Sequence, residues 1–157
     1  MALKGDRIEL QHDISFFMNE VGNRGGIVVI STGGSGASMD QSAALVTYAA
    51  TGSGKKPVGL LLNDMVNIDL TRQHLNQHKN EVQKGNKVEI ARKGPFVTDQ
   101  ITSGITIAVG DIAYLGNGGR ITNVKSATGG DVATPKIGQF LSGLDEDGYA
   151  KVEINLP

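Results

Sequence analysis

Two of the three histidines, His74 and His78, are four residues apart, which is the spacing that places two side chains on one face of a helix. Two imidazoles so arranged can begin a zinc site. The metalloprotease motif, however, requires a glutamate directly after the first histidine, and Leu75 occupies that position. No third ligand follows at a regular spacing. We therefore interpret both histidines as solvated or as part of an interface and predict no metal site.

A serine hydrolase triad would have to use one of the same histidines or His12. None of the three lies in a recognisable nucleophile motif. The sequence therefore predicts no catalytic residue, and an enzyme that depends on His74 and His78 is the alternative of a different functional class. Convergence of titratable groups in a cleft would favour that alternative.

Two glycine-rich segments have some features of nucleotide-binding loops. GGSG at residues 33–36 follows an apolar run, but Met39 stands where a dinucleotide fingerprint needs its third glycine. Gly54 and Lys55 are similar to the end of a phosphate loop, but Lys56 follows where serine or threonine would hold magnesium. We predict no cofactor, and we interpret residues 33–38 and 51–56 as surface loops.

The acidic sequence DEDG at residues 145–148 has the composition of a calcium loop but lacks the closing glutamate of an EF-hand. We assign residues 137–141 and 149–156 on its two sides as the last two strands, and apolar residues alternate with polar ones over the second. The pattern predicts a solvated hairpin turn between two strands.

The composition limits the classes of partner. The chain has 157 residues, no cysteine, 22 glycines and a net charge of −1 from 15 basic and 16 acidic side chains. A balanced charge disfavours a nucleic-acid or anionic-membrane partner, and the absence of cysteine excludes a disulfide scaffold. No apolar run approaches 18 residues, and residues 1–10 lack a signal-peptide core, so we expect a soluble chain.

A run of short strands separated by glycine turns covers residues 85–124. Residues 87–93, 105–109, 112–115 and 120–124 are rich in β-branched and aromatic side chains. Gly110-Asp111 and Asn117-Gly118-Gly119 supply the positive φ angles that tight turns require. Further upstream, residues 25–32 and 57–62 are continuous apolar runs, which indicates strands buried on both faces, and residues 43–50 form another strand.

The predicted fold is mainly β: a small antiparallel β-barrel or sandwich with long loops and at most one short helix. That helix would span residues 70–82, capped by Asp69 and ended by Gly85, although an extended polar segment lying against a partner is the alternative. Residues 1–20 form either an N-terminal arm or an edge strand, and residues 21–157 form a single β-rich domain. Few aromatic residues predict a thin core completed by a neighbouring copy, so we expect a homo-oligomer and favour a trimer over a dimer.

Three segments resemble a known family. VGDIAYLGNGGRITNV at 109–124 and IGQFLSGLDEDGYAKVEINLP at 137–157 resemble the small β-barrel of head decoration (cement) proteins of tailed bacteriophages, of the lambda type. NDMVNIDLTRQHLNQHKNEVQKGNKVEIARKG at 63–94 is similar to segments of structural proteins encoded near phage capsid genes. The resemblance implies a β-tulip-like barrel that binds the outer surface of an assembled head and stabilises it, without catalysis.

The resemblance also implies a location in the virion and the major capsid protein as partner, with neither nucleic acid nor membrane involved. Alternation of apolar and charged residues near the N-terminus suits an arm that adds a strand to a partner's sheet, and the resemblance favours this use of the segment. Another virion component, in a tail or head fibre, is the alternative. The residues we predict to contact the capsid are Leu3, Ile8, Leu10, Asp69, Arg72, His74 and His78.

Overall fold

The computed structural model describes residues 11–32, 44–64, 68–69, 74–75, 80–125 and 134–157. These residues form thirteen strands and one short 3₁₀ turn, so the predicted mainly β fold is confirmed. The strands are β1 (Gln11–Met18), β2 (Gly22–Asn23), β3 (Ile27–Thr32), β4 (Leu45–Thr47), β5 (Pro57–Asp64), β6 (Ile68–Asp69), β7 (His74–Leu75), β8 (Glu81–Val82), β9 (Lys87–Thr98), β10 (Ile112–Leu115), β11 (Ile121–Thr122), β12 (Lys136–Phe140) and β13 (Ala150–Asn155).

Five strands close into a barrel in the order β1, β4, β3, β5, β9 and back to β1. Phe17 pairs with Leu45 in a parallel ladder, and Phe16 pairs with Val88 in the antiparallel ladder that closes the ring. Closure removes sheet edges, which would otherwise present unpaired backbone groups. The described part of the N-terminal segment is therefore an internal barrel strand, and the arm hypothesis now concerns residues 1–10, which lie outside the described residues.

The long strand β9 joins the barrel to the remaining strands of a single nine-stranded sheet. Its first half pairs with β1 and β5 in the barrel, and its second half pairs with β13, where Phe96 lies opposite Val152. From β13 the sheet continues through β12 and β10 to β11. Lys93 pairs with Gln11 of β1 and with Asn155 of β13. It therefore marks the position where the barrel pairing of β9 ends and its pairing with β13 begins.

The barrel and the strands that continue from β9 through β13 enclose two hydrophobic cores. Among the described residues, the barrel interior holds eight buried side chains, contributed by the barrel strands and β8. A second core of eighteen buried residues lies between the outer face of the barrel and the β9–β13 sheet, and includes Phe96 and Phe140. Residues of β3 alternate between the two: Val28 lies in the barrel core, whereas Ile27 and Val29 lie in the second core. This placement confirms burial on both faces for residues 27–29 of the predicted run at 25–32, whereas Ile30 and Ser31 are exposed, so the prediction is wrong at the end of the run.

The predicted strand at residues 105–109 is wrong, because this segment is irregular. Its apolar pattern reflects packing: Ile107 is buried, whereas Val109 is 72% exposed. Side chains satisfy its backbone in place of a ladder, since Asp111 Oδ2 accepts from the Ala108 amide at 3.0 Å and Asn123 Nδ2 donates to Thr106 O at 2.8 Å. A composition rich in β-branched residues therefore does not make a strand where no neighbouring strand is available to pair with it.

The predicted helix at residues 70–82 is also wrong where the structure describes it. His74–Leu75 and Glu81–Val82 are extended, and β7 pairs with β6 so that Asp69 lies opposite His74. The segment offered only a thin apolar stripe, which is too weak to hold a helix against the sheet. Residues 70–73 and 76–79 lie outside the described residues, as does the predicted loop at 33–38.

The turn predictions on described residues are confirmed. Asn117–Gly119 forms the 3₁₀ turn between β10 and β11, with φ of 67° at Gly118 and 73° at Gly119. Gly148, at φ 82°, ends the acidic turn before β13. In that turn Asp145 Oδ1 accepts from the amides of Asp147 at 3.0 Å and Tyr149 at 2.7 Å. The carboxylate is thus bonded to its own turn, as in a hairpin connection and not as in a calcium loop.

Candidate binding surfaces

The predicted capsid-contact residues divide into two groups that attach to the barrel at different places. Leu3, Ile8 and Leu10 precede β1, which begins at Gln11 opposite Lys93. Arg72 and His78 lie in the excursion between β5 and β8, which leaves the barrel after Asp64, opposite Val88. These five contact residues lie outside the described residues. Only their points of attachment are defined.

Those two attachment points are five residues apart along β9, from Val88 to Lys93. At roughly 3.3 Å per residue, this separation is about 16 Å, and it covers nearly the whole ladder between β1 and β9, which runs from Lys87 to Lys93. The N-terminal segment and the excursion therefore join the barrel at opposite ends. Asp69 and His74, the two contact residues that the structure does describe, are cross-strand partners within the excursion.

Arg24 holds the two ends of the excursion together. Its Nη1 donates to Asn63 Oδ1 at the end of β5, and its Nη2 donates to Asn80 Oδ1 at 3.0 Å, just before β8. Its backbone amide also donates to Asn80 O at 2.8 Å. The planar guanidinium is suited to bridging two fixed acceptors. Arg24 is thus a positioning residue for the excursion, and sequence reasoning missed it because its partners are 39 and 56 residues away.

A second junction joins the barrel to the β10–β11 turn. The carboxylate of Glu20 accepts from the Thr47 hydroxyl and from the Tyr48 amide, and the Tyr48 hydroxyl donates to Asn23 O. The Tyr48 ring fills the space above Gly119, where an added Cβ would lie 2.1 Å from the ring. Burial raises the pKa of the Tyr48 phenol well above its ordinary value, so the hydroxyl stays protonated and remains a donor.

His12 lies on β1 within the described residues. Its Nδ1 lies 2.8 Å from Glu89 Oε1 on the adjacent strand β9. This contact explains His12 as a cross-strand partner of Glu89. Over the described ranges, no group of three or more histidine, aspartate or glutamate side chains could hold a metal ion.

Exposed apolar side chains concentrate at one end of the β10–β12 pair. Val109 and Ile112 flank the Gly110 turn and are 72% and 41% exposed. Gly110 N donates to Phe140 O at 2.9 Å, which brings this turn beside Leu141, another exposed apolar residue. Isolated exposed apolar residues are ordinary, but a local group is typical of an interaction surface.

No family model matches the chain, and no curated protein shows significant similarity to it. Within the part of the chain that the structure describes, no helix has the length and apolar character needed to cross a bilayer.

Proposed function

We propose that this protein is a non-catalytic structural protein of a tailed-phage particle that binds the outer surface of the assembled capsid and stabilises it. The observation that carries the proposal is the attachment of two candidate contact segments at opposite ends of a closed barrel. A rigid body with a contact segment at each end can join two neighbouring capsid subunits. Such bridging reinforces a lattice without any chemistry.

The closed barrel suits this role because it supplies a fixed spacing between the two segments. Val88 and Lys93, which mark the attachment points, belong to one continuous strand that is hydrogen-bonded on both sides. Arg24 fixes the entry and exit of the excursion. Repetition over a lattice would multiply modest single contacts through effective concentration.

The direct test is cosedimentation with mature, undecorated capsids of the phage that encodes the protein. We expect the purified protein to pellet with capsids and to raise the temperature at which they disrupt. Failure to pellet at any protein concentration would refute capsid binding. Pelleting with purified tails instead would assign the protein to a different part of the particle.

Deletion of residues 2–10 tests the arm separately. We expect the truncated protein to lose capsid binding and to keep its melting temperature, because strand addition to a partner's sheet depends on main-chain pairing by the arm. A matched pair of variants sharpens the result. Leu3→Asn, Ile8→Asn and Leu10→Asn together should weaken binding, whereas the charge-removing set Lys4→Gln, Asp6→Asn and Glu9→Gln should not.

A truncated protein with unchanged binding and unchanged melting would contradict the arm hypothesis and assign capsid contact to residues 69–83. Loss of binding together with a lower melting temperature would show that residues 2–10 belong to the folded domain. The Arg24→Met variant then tests the excursion, because it removes both hydrogen bonds to Asn63 and Asn80 and keeps most of the side-chain volume.

We also propose that the protein forms a homo-oligomer on the capsid, and we favour a trimer over a dimer. The exposed group Val109, Ile112 and Leu141 supplies an apolar surface for contact between copies. Cryo-electron microscopy of decorated particles should show copies in mutual contact. Isolated copies that touch no other copy would contradict this part of the proposal.

A further inference from the structure

A polar depression of about 350 Å³ lies beside the β10–β11 turn. Four separate chain segments meet there: the loop after β4, the segment after β9, the β10–β11 hairpin and the segment before β12, which contributes Thr134. Most of its described lining residues carry a hydroxyl, amide or guanidinium group, and their carbon atoms together with Val124 supply the apolar part of the lining. The polar side chains concerned are those of Ser53, Thr102, Ser103, Asn117, Arg120 and Thr122.

The hydrogen bonds already formed leave this lining rich in donors. Asn117 Oδ1 accepts from the Gly52 amide at 3.1 Å, which orients the side-chain amide and leaves its Nδ2 to donate elsewhere. Thr122 Oγ1 accepts from the Val124 amide at 3.1 Å, so its own hydrogen remains to be donated. In these two hydrogen bonds both side chains act as acceptors, so Asn117 Nδ2 and the Thr122 hydroxyl can still donate to a ligand.

Thr134 gives an independent indication of an unfilled site. This lining residue is only 6% exposed, and its Oγ1 is fully buried without a hydrogen-bond partner. Buried polar atoms are paired in most proteins, and an exception calls for an explanation. A ligand oxygen beside the depression would supply the missing partner after a small rotation of the hydroxyl.

The charge of the lining defines the ligand. Arg120 is exposed at the edge of the depression, and none of the described lining residues carries a carboxylate. One cation surrounded by hydroxyl and amide donors complements a negatively charged oxygen group. We infer that this depression binds a small oxyanion, that is, a carboxylate, phosphate or sulfate group carried by a ligand or by a partner. This inference stands independently of capsid decoration.

The donors are held in place before any ligand binds. Thr102 N donates to Ile121 O at 2.9 Å, which joins the segment after β9 to the hairpin. Gly118 N donates to Ala49 O at 2.7 Å, which joins the loop after β4 to the same hairpin. A Cβ at Gly52 would lie 2.3 Å from Leu115 O, so this glycine permits the close approach. Preorganised donors lower the ordering cost of binding.

The test is an NMR titration of the ¹⁵N-labelled protein with sodium phosphate, sodium sulfate and sodium acetate, each compared with sodium chloride at equal ionic strength. We expect saturable shifts confined to the amides near Ser53, Thr102 and Asn117–Arg120. Binding of acetate as tightly as phosphate would indicate a carboxylate from a partner. Tighter binding of phosphate and sulfate would indicate a tetrahedral oxyanion.

Arg120→Gln should weaken binding by about tenfold, which is the effect of losing one charge-assisted hydrogen bond. The Arg120 side chain is exposed and its carbonyl, which accepts from Gly116 N at 2.7 Å, is unaffected by the substitution, so the variant should keep its melting temperature. Thr102→Val should weaken binding less, and the exposed control Lys136→Gln should leave it unchanged.

Shifts that do not saturate, that spread over surface lysines, or that persist unchanged in Arg120→Gln would overturn the inference. If Arg120→Gln lowers the melting temperature, Arg120→Lys provides the second measurement. The lysine keeps the charge but loses the planar fork, so binding should fall between those of the wild type and the glutamine variant. Binding equal to wild type in both variants would exclude Arg120 from the site.

Discussion

The two hydrophobic cores differ in size and in how they are closed. The barrel interior contains eight buried residues, all of them aliphatic or methionine, and the barrel strands themselves enclose it. The second core contains eighteen of the described residues, including Phe96 and Phe140, and it forms where strands β10–β13 of the same sheet cover the outer face of the barrel. A barrel of few strands has a narrow interior, so further burial has to occur outside it.

This difference indicates where the stability of the fold resides. Strands β3, β5 and β9 contribute to both cores, but the residues that face outward from the barrel join the larger one. A contact segment attached to the barrel is therefore supported by one hydrophobic core inside the barrel and by another on its outer face. The comparison predicts unequal effects when equivalent substitutions are made in the two cores.

The largest effect is expected in the second core. Phe140→Ala removes a fully buried ring from β12 and should lower the free energy of unfolding by about 3–5 kcal/mol. Urea denaturation measures this change. The exposed residue Lys136 on the same strand provides the control, and Lys136→Ala should change the free energy by less than about 0.5 kcal/mol. An equal loss in both variants would contradict the assignment of the second core.

A smaller effect is expected inside the barrel. Val28→Ala removes two methyl groups from a fully buried position and should cost about 2 kcal/mol. Because Val28 and Phe140 belong to different cores, their effects should add to within about 0.5 kcal/mol in the double variant. Marked non-additivity would show that the two positions are energetically coupled and would contradict their assignment to separate cores.

The junction between the barrel and the β10–β11 turn should show a still smaller effect. Tyr48→Phe keeps the ring above Gly119 but removes the hydrogen bond to Asn23 O, so the expected loss is about 1 kcal/mol. Thermal melts of this variant should be compared with those of Tyr114→Phe, which alters a half-buried tyrosine on β10. A Tyr48→Phe variant as stable as the wild type would show that packing of the ring, and not the hydrogen bond to Asn23 O, stabilises the junction.

The smallest effect concerns pH. Hydrogen bonds from the Ala108 amide and from the Asn123 side chain lower the pKa of Asp111 in the folded protein. A group whose pKa is lowered by folding contributes stability above its unfolded value of about 3.9, and that contribution is lost as the pH falls through the folded value. Melting temperatures measured from pH 6 to pH 2 should therefore fall slightly more for the wild type than for Asp111→Asn. Parallel melting curves for the two proteins over this pH range would show that Asp111 does not contribute to the pH dependence of stability.

Local features of the fold were predictable because they depend on neighbouring residues. The turn at Asn117–Gly119 follows from the need for positive φ, which glycine meets without a steric penalty. The burial of Ile27, Val28 and Val29 follows from a continuous apolar run of strand length. The strand at Ile112–Leu115 was also predicted with its observed bounds.

Features that depend on distant partners were not predictable in this way. Residues 105–109 alternate like a strand, but side chains of Asp111 and Asn123 satisfy their backbone where a neighbouring strand would be needed. The barrel closes because β1 pairs with β4 on one side and with β9 on the other. No local pattern in residues 11–18 specifies either neighbour. The polar depression brings Ser53 to a hairpin more than sixty residues away in sequence.

The amino-acid sequence by itself determined that this protein is built mainly from strands, where its glycine turns lie, and that it contains neither a disulfide nor a recognisable catalytic motif. Only the tertiary structure decided the closed barrel, the second core, the Arg24 bridge at the base of the excursion and the polar depression beside the hairpin. The physical reason is one of range. Backbone dihedral preferences and hydrophobic periodicity act between near neighbours, whereas strand pairing and site assembly depend on which distant surfaces bury each other.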